Sequence, residues 1–189
     1  MLSRIPMLSK EEALKRGREQ GIDDYIAQMN MFRVLLKFPD VAREFQKTIV
    51  TLVSRTDLLS HRLRELIIMR VSWLAASEYE WAQHWQASLW LGLTEKELAA
   101  VQSWESADCF DERDRIVLQS TDETLLQGAI TTGTWANLAR LFPEPAAQIA
   151  VVSSIANWYM FAQILKNLDI PLEDNAPHWP PDGKGPKPA

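Results

Sequence analysis

Only one cysteine, Cys109, stands in the chain, so no internal disulfide can form and cysteine usage points to no oxidising compartment. Its expected state is a half-buried thiol without function, an intersubunit bridge being the alternative. Glycine is scarce, with seven residues, which disfavours a loop-rich or all-β protein. Basic residues never run together and the net charge is −5, so nucleic acid is excluded as a primary partner. No apolar run reaches the length of a membrane span. The opening Met1-Leu2-Ser3-Arg4-Ile5-Pro6-Met7 lacks the long apolar stretch and small-residue cleavage site of a signal peptide. The expectation is a soluble, cytoplasmic protein with no membrane partner.

What is present favours helix. The 189 residues are 47% hydrophobic, enough for one domain with a full core. Ala, Leu, Glu, Gln and Arg are frequent, and all favour helix. Ser9-Lys-Glu-Glu12 is a capping box, followed by a helix over about 10–20 that stops near Gly21. A second helix is expected from Asp23 or Asp24 to Phe38, with Tyr25, Met29, Phe32 and Leu36 on one face. Pro39 begins a third, and Ser60 caps a fourth. Ser77-Glu-Tyr-Glu80 reads as another capping box, opening a helix that ends at Gly92. Thr94-Glu-Lys-Glu97 is a third. Asp111, Thr131 and Pro143-Glu-Pro145 open the remaining helices, the last running to about Asn167. The pattern predicts an all-α, single-domain bundle of about eight or nine helices. Residues 1–22 form an N-terminal helix and arm, 23–172 the helical domain, and 173–189 a Pro-rich tail. From Pro171 on, six of the ten prolines crowd together without helical period. That tail is expected to be extended, either disordered or lying on a surface such as a neighbouring subunit.

One stretch concentrates polar groups among apolar ones. On a helix starting at Ser77, Glu80 and His84 are four apart and share a face, with Ser77 above the same stripe. The preceding helix carries Glu65, and its end bears Ser72, Ala75 and Ala76, small enough for close approach. Glu65, Ser77, Glu80 and His84 could therefore meet between two antiparallel helices. Each has a plainer reading as well. Glu65 pairs on the surface with Arg62, Ser77 and Glu80 cap the helix, and His84 is a satisfied core residue. The spacing is a poor match to a metal site, and none is expected. Trp73, Trp81, Trp85 and Trp90 suit core, interface or the wall of an apolar pocket. Asn157-Trp158-Tyr159 is a further polar–aromatic cluster that could face the same space.

The segment RELIIMRVSWLAASEYEWAQHWQASLWLGLTEKELAAV resembles the carboxymuconolactone decarboxylase / alkyl hydroperoxidase D-like superfamily. The resemblance extends upstream through MNMFRVLLKFPDVAREFQ and downstream through WYMFAQILKNLDIPLE, covering about residues 25–173. It implies an AhpD-like bundle around an antiparallel helix pair, and a homo-oligomer. The family's peroxidases place a Glu, then eleven residues, Cys, two residues, Cys, three residues and His. This chain keeps Glu65 and His84 at that spacing but carries Ser77 and Glu80 at the cysteine positions, and Tyr79 where an additional relay His often stands. Peroxide reduction by that route needs a thiolate and a partner thiol, which Ser77 and Glu80 cannot supply.

The decarboxylase branch also lacks the cysteines and retains the His. By that resemblance His84, Glu65 and Glu80 are the expected catalytic residues, and Ser77, Tyr79 and Trp81 the expected substrate contacts. The expected activity is general acid/base catalysis on a small organic molecule, as in a decarboxylase, lyase or isomerase, with no cofactor. Two alternatives stand beside it: inherited alkyl hydroperoxidase activity, and non-catalytic ligand binding by an oligomer. Two carboxylates in one pocket would repel an anionic substrate unless one is protonated or paired with Arg62, Arg64 or Arg70.

Overall fold

The computed structural model describes residues 3–187, and among them it contains helices and no strand. The helices are α1 (Lys10–Glu19), α2 (Asp24–Gln28), α3 (Asn30–Leu35), α4 (Pro39–Ser54), α5 (His61–Leu74), α6 (Glu78–Trp90), α7 (Glu95–Ala100), a 3₁₀ helix over Val101–Ser106, α8 (Glu112–Gln127), α9 (Thr132–Leu141) and α10 (Pro145–Asn167). The first two residues of the expected arm and the last two of the expected tail lie outside the described residues.

Most helix starts sit where their local chemistry puts them. Ser9 with Glu12 and Thr94 with Glu97 form reciprocal capping boxes, and Asp111 with Asp114 makes a further one. Ser60 and Thr131 accept from the N–H three residues on. Pro39 and Pro145 each occupy a first helical position, where a missing N–H costs nothing.

The expected helix over 23–38 is broken in two. Met29 takes an extended conformation (φ −63°, ψ 140°) between α2 and α3. The cause lies far along the chain. The Asn30 N–H, an orphan donor at the start of α3, is held at 2.7 Å by the Glu173 carboxylate, and the Asn30 amide reaches the Leu172 carbonyl at 2.9 Å. The face is also not the one expected, because Tyr25 is 73% exposed while Phe32 and Leu36 are buried.

Helix α5 is the centre of the molecule. Every residue from Leu63 to Ser72 is buried, because α6, α8 and α10 all pack on it. A helix covered on all sides must pair its charges. Arg64 is held by Glu65, and Arg70 by Asp122 and the Val101 and Gln102 carbonyls. Helices α5 and α6 turn sharply into an antiparallel pair. Ala76 takes a left-handed φ of 49°, and the Ser77 N–H returns to the Ser72 carbonyl at 2.9 Å. Lys166 of α10 closes the turn by donating to the Ala75 carbonyl.

The tail lies against its own chain. The Trp81 indole donates to the Pro180 carbonyl at 2.7 Å, and the Trp179 ring packs on Trp73 and Trp81. Gly185 sits so close to Trp179 that an added Cβ would lie 2.6 Å from the ring. On the other side of the molecule, Leu8, Ala13 and Ile22 of the N-terminal segment share a buried cluster with α2, α3, α4 and α10.

Candidate active site

Four elements converge on His84. Helix α6 presents its imidazole edgewise, and Nδ1 lies 2.8 Å from Oε2 of Glu65 on α5. Ser88, one turn further along α6, donates to the same oxygen at 3.2 Å. The other oxygen of Glu65 takes Nη2 of Arg64 at 2.9 Å, and Arg64 is steadied by the Val53 carbonyl of α4. From α10, the Trp158 indole N–H points at Nε2 of His84 at 3.2 Å.

These partners determine the imidazole tautomer. An indole N–H can only donate, so Nε2 of His84 accepts, and the ring proton sits on Nδ1, facing Glu65. Burial pushes the Glu65 carboxyl up, but His84 and then Arg64 outweigh it and hold the group below its ordinary value. The plainer reading of Glu65 as a surface partner of Arg62 is therefore corrected. Glu65 is 2% exposed, and Arg62 is taken by Asp114 and Glu97.

Glu80 departs furthest from local expectation. A capping box would turn its carboxylate back to the Ser77 N–H, but that N–H is already spent on Ser72 of the preceding helix. Ser77 makes no side-chain cap, and Glu80 is released inward. It is 4% exposed, and among the described residues neither carboxyl oxygen has a hydrogen-bond partner. Burial drives its carboxyl well above the usual carboxylate range; the Ser77 hydroxyl opposes this without closing a hydrogen bond. Burial thus favours the protonated, neutral form of this carboxyl.

Glu80 and His84 line one pocket of about 200 Å³, with the Glu80 carboxyl oxygens themselves buried. Its walls are apolar: Met29, Met31 and Phe32 from the broken leading helices, Ile49 and Val53 from α4, and Trp158 and Phe161 from α10. Glu65 stands behind His84 and does not line it. Tyr79 contributes its ring, while its hydroxyl donates to Glu173 at 2.6 Å and so ties the tail to α6. Burial, reinforced by Glu173, pushes that phenol well above its ordinary value.

Two expected substrate contacts are elsewhere. Trp81 is fully buried in a separate cluster with Trp85 and Leu98, its N–H used by the tail. Ser77 borders a different cleft, of about 620 Å³, between the start of α6 and the tail. That larger cleft is lined by none of Glu65, Glu80 and His84. Of the four tryptophans, Trp81 and Trp85 are core, Trp73 is half-buried, and Trp90 is exposed. Cys109 packs beside the Trp81 cluster, away from the pocket. Among the described residues, no group of three His, Cys, Asp or Glu side chains could hold a metal. Ser88 went unread in the sequence, although its place four residues after His84 was a signal for the same face.

An unpartnered buried acid destabilises the folded state, and the cost should depend on pH. The folded-state value of Glu80 is raised, so the unfolded chain loses this proton first as pH rises. Above the ordinary carboxylate value of 4.5, the group's contribution to stability should fall by about 1.4 kcal/mol per pH unit until the folded acid also ionises. Glu80→Leu should therefore be more stable than the parent at pH 7 by about 1–3 kcal/mol, with the gap narrowing towards pH 5. Urea melts of both chains at pH 5, 6 and 7 would check this, and a pH-independent gap would contradict it.

Residues 39–123, from the start of α4 into α8, match the carboxymuconolactone decarboxylase family, and that span includes both Glu65 and His84. No curated protein matches the chain. Among solved structures, the chain is similar to an alkylhydroperoxidase AhpD core, an uncharacterized peroxidase-related protein from Ralstonia eutropha. The TM-score is 0.70 at 16% identity, over 92% of this chain and 94% of that one. The apo debrominase Bmp8 is similar with a TM-score of 0.70 at 17% identity, over 87% of this chain and 86% of that one. A protein of unknown function from Agrobacterium tumefaciens follows at 0.65 and 17% identity, over 72% of this chain and 93% of that one. At such identities the shared property is the fold.

Proposed function

We propose that this chain, whose residues 39–123 match the carboxymuconolactone decarboxylase family, is a general acid/base enzyme acting on a small, largely apolar carbonyl compound. The observation that carries this reading is the Glu65–His84 contact, which aims the basic nitrogen of the imidazole towards an apolar pocket whose wall also includes the Glu80 side chain. Glu65 orients the ring and stabilises the imidazolium that forms when Nε2 takes a proton. Trp158, the present partner of Nε2, gives way to the substrate as the proton arrives.

In the step proposed, a C–H bond next to a carbonyl breaks and its proton passes to Nε2. The electron pair moves onto the carbonyl oxygen, which takes a hydrogen bond from Glu80 once that buried carboxyl turns towards the substrate. Return of the proton to a different carbon gives isomerisation. In the decarboxylase variant Nε2 first takes the proton of the substrate's carboxylic acid, the C–CO₂ bond breaks, CO₂ leaves, and the imidazolium returns that proton to the carbon. Pairing of Glu65 with Arg64, and burial that favours the neutral form of Glu80, reduce the repulsion that two bare carboxylates would impose on developing negative charge.

Incubation in D₂O with a panel of unsaturated lactones, β-keto acids, enolisable ketones and hydroperoxides tests this. Turnover of a carbonyl compound with deuterium entering at carbon is expected, and hydroperoxides should persist. Thiol-dependent peroxide reduction, abolished by Cys109→Ser, would overturn the proposal in favour of the peroxidase route.

A further inference from the structure

A carboxylate outside the pocket ties two stretches of its wall together. Oε1 of Glu173 accepts the Asn30 N–H at 2.7 Å and the Tyr79 hydroxyl at 2.6 Å. The same Tyr79 oxygen takes the Met31 N–H at 3.5 Å. Met29 and Met31, on either side of Asn30, line the pocket together with Tyr79, whereas Glu173 does not. Glu173 also lies beyond residues 39–123, the span that matches the family.

The joint between α2 and α3 has no local cause. No Gly or Pro stands between Asp24 and Leu35, and the periodicity there suits one unbroken helix. In that helix the Asn30 N–H would bond to the Ile26 carbonyl and the Met31 N–H to the Ala27 carbonyl. Instead both donors are drawn to groups on the tail and on α6, and Met29 is extended. The flanking structure is secured separately. Asp23 caps α2, and Leu8 and Arg33 share two hydrogen bonds beside α3. The tail keeps further holds where the Leu172 carbonyl takes the Asn30 amide and the Pro180 carbonyl takes the Trp81 indole. Loss of the Glu173 carboxylate therefore acts on the joint and spares the rest. We propose that Glu173 is a positioning residue of the pocket: its carboxylate keeps the α2–α3 joint broken, so that Met29, Met31 and the Tyr79 ring form a wall that fits a small apolar ligand. Without those bonds the joint closes into helix, the two methionines turn with the chain, and the pocket loses its fit. The consequence for turnover rests on the acid/base reading above; the consequence for binding does not.

Calorimetric titration with toluene and NMR of methionine methyl groups labelled with carbon-13 test it, in the full chain and its Glu173→Ala and Glu173→Gln variants. Toluene suits the site, since an apolar cavity of ~150 Å³ holds a benzene ring and this one is about 200 Å³. In Glu173→Ala it should bind at least about tenfold more weakly, as when the competent form falls to a tenth of the population. The Met29 and Met31 methyl signals should move, while that of Met69, buried in α5, should stay. In Glu173→Gln, whose amide oxygen still accepts both bonds, affinity and signals should return close to the parent's. With a substrate from the panel, Glu173→Ala should raise KM about tenfold and leave kcat within a few-fold, because the Glu65–His84 contact is untouched. Met29 and Met31 signals that stay in place in Glu173→Ala would overturn the inference, whether or not toluene binds the parent. Toluene affinity unchanged by that substitution would overturn it too. If Glu173→Ala does not fold, Tyr79→Phe decides, since it removes the hydroxyl and keeps the ring: the Met31 signal should move, and an unmoved one counts against the inference. Loss of turnover in His84→Ala beside unmoved methyl signals would leave the acid/base reading standing alone. Moved signals beside undiminished turnover in His84→Ala would leave the positioning role without the catalysis.

Discussion

Glu65→Ala should destabilise the fold by about 3–5 kcal/mol, the largest effect of any single substitution considered. Both members of the Arg64–Glu65 pair are almost wholly buried, at 3% and 2% side-chain exposure. Removing the carboxylate leaves the guanidinium charged, out of water and with one backbone carbonyl for company. It also strips His84 and Ser88 of their shared acceptor. Replacing both members, as in Arg64→Met with Glu65→Leu, should restore much of that stability but not activity, because the cost of the single change is mostly the stranded charge. Denaturant unfolding of the two variants would decide it, and a loss below about 1 kcal/mol for Glu65→Ala would contradict the burial and pairing described. The pH dependence of the parent follows from the same contacts. Glu65 has a folded-state value below its ordinary one, so its stabilisation is present above the normal carboxylate range and disappears as pH falls through the folded value. Glu80 works in the opposite sense and penalises the fold as pH rises.

His84→Ala should lower turnover of a substrate identified in the panel by about 10²–10⁴-fold, the usual worth of a positioned acid or base. The fold should survive, because the side chain is only partly buried and its loss leaves the Trp158 indole N–H without a partner while Ser88 still donates to the Glu65 oxygen. Steady-state kinetics with a parallel melting curve would separate the two effects. Turnover within threefold of the parent would remove His84 from the chemistry. A fall in turnover matched by a collapse in melting temperature would instead mark it as a structural residue.

Much of this molecule is legible in order of residues, and the reason is locality. A Ser, Thr or Asp cap with an acid three positions on needs only its own turn, and the helices beginning after Ser9, Thr94 and Asp111 start there. The meeting of Glu65 with His84 was readable because their spacing is that of a helix, a tight turn and a helix running back.

The same local grammar misreads Ser77 and Glu80. They match a capping box as well as Thr94 and Glu97 do, but Ser72 of the previous helix had already claimed the N–H that the box requires. Nothing within four residues of Glu80 announces that. Likewise the apolar face expected from Tyr25 to Leu36 is interrupted by Glu173, 143 residues after Asn30, and the break places Met29 and Met31 in the pocket wall. The amino-acid order by itself determined most of the helix starts and the meeting of Glu65 with His84, because backbone capping and apolar periodicity act over one or two turns. Tertiary structure alone decided that the Glu80 carboxyl is buried without a hydrogen-bond partner, that Trp81 belongs to the core rather than the pocket, and that the tail closes on its own chain. Those outcomes depend on which distant group reaches a donor or acceptor first, and hydrogen-bond competition across the fold leaves no mark in the local pattern.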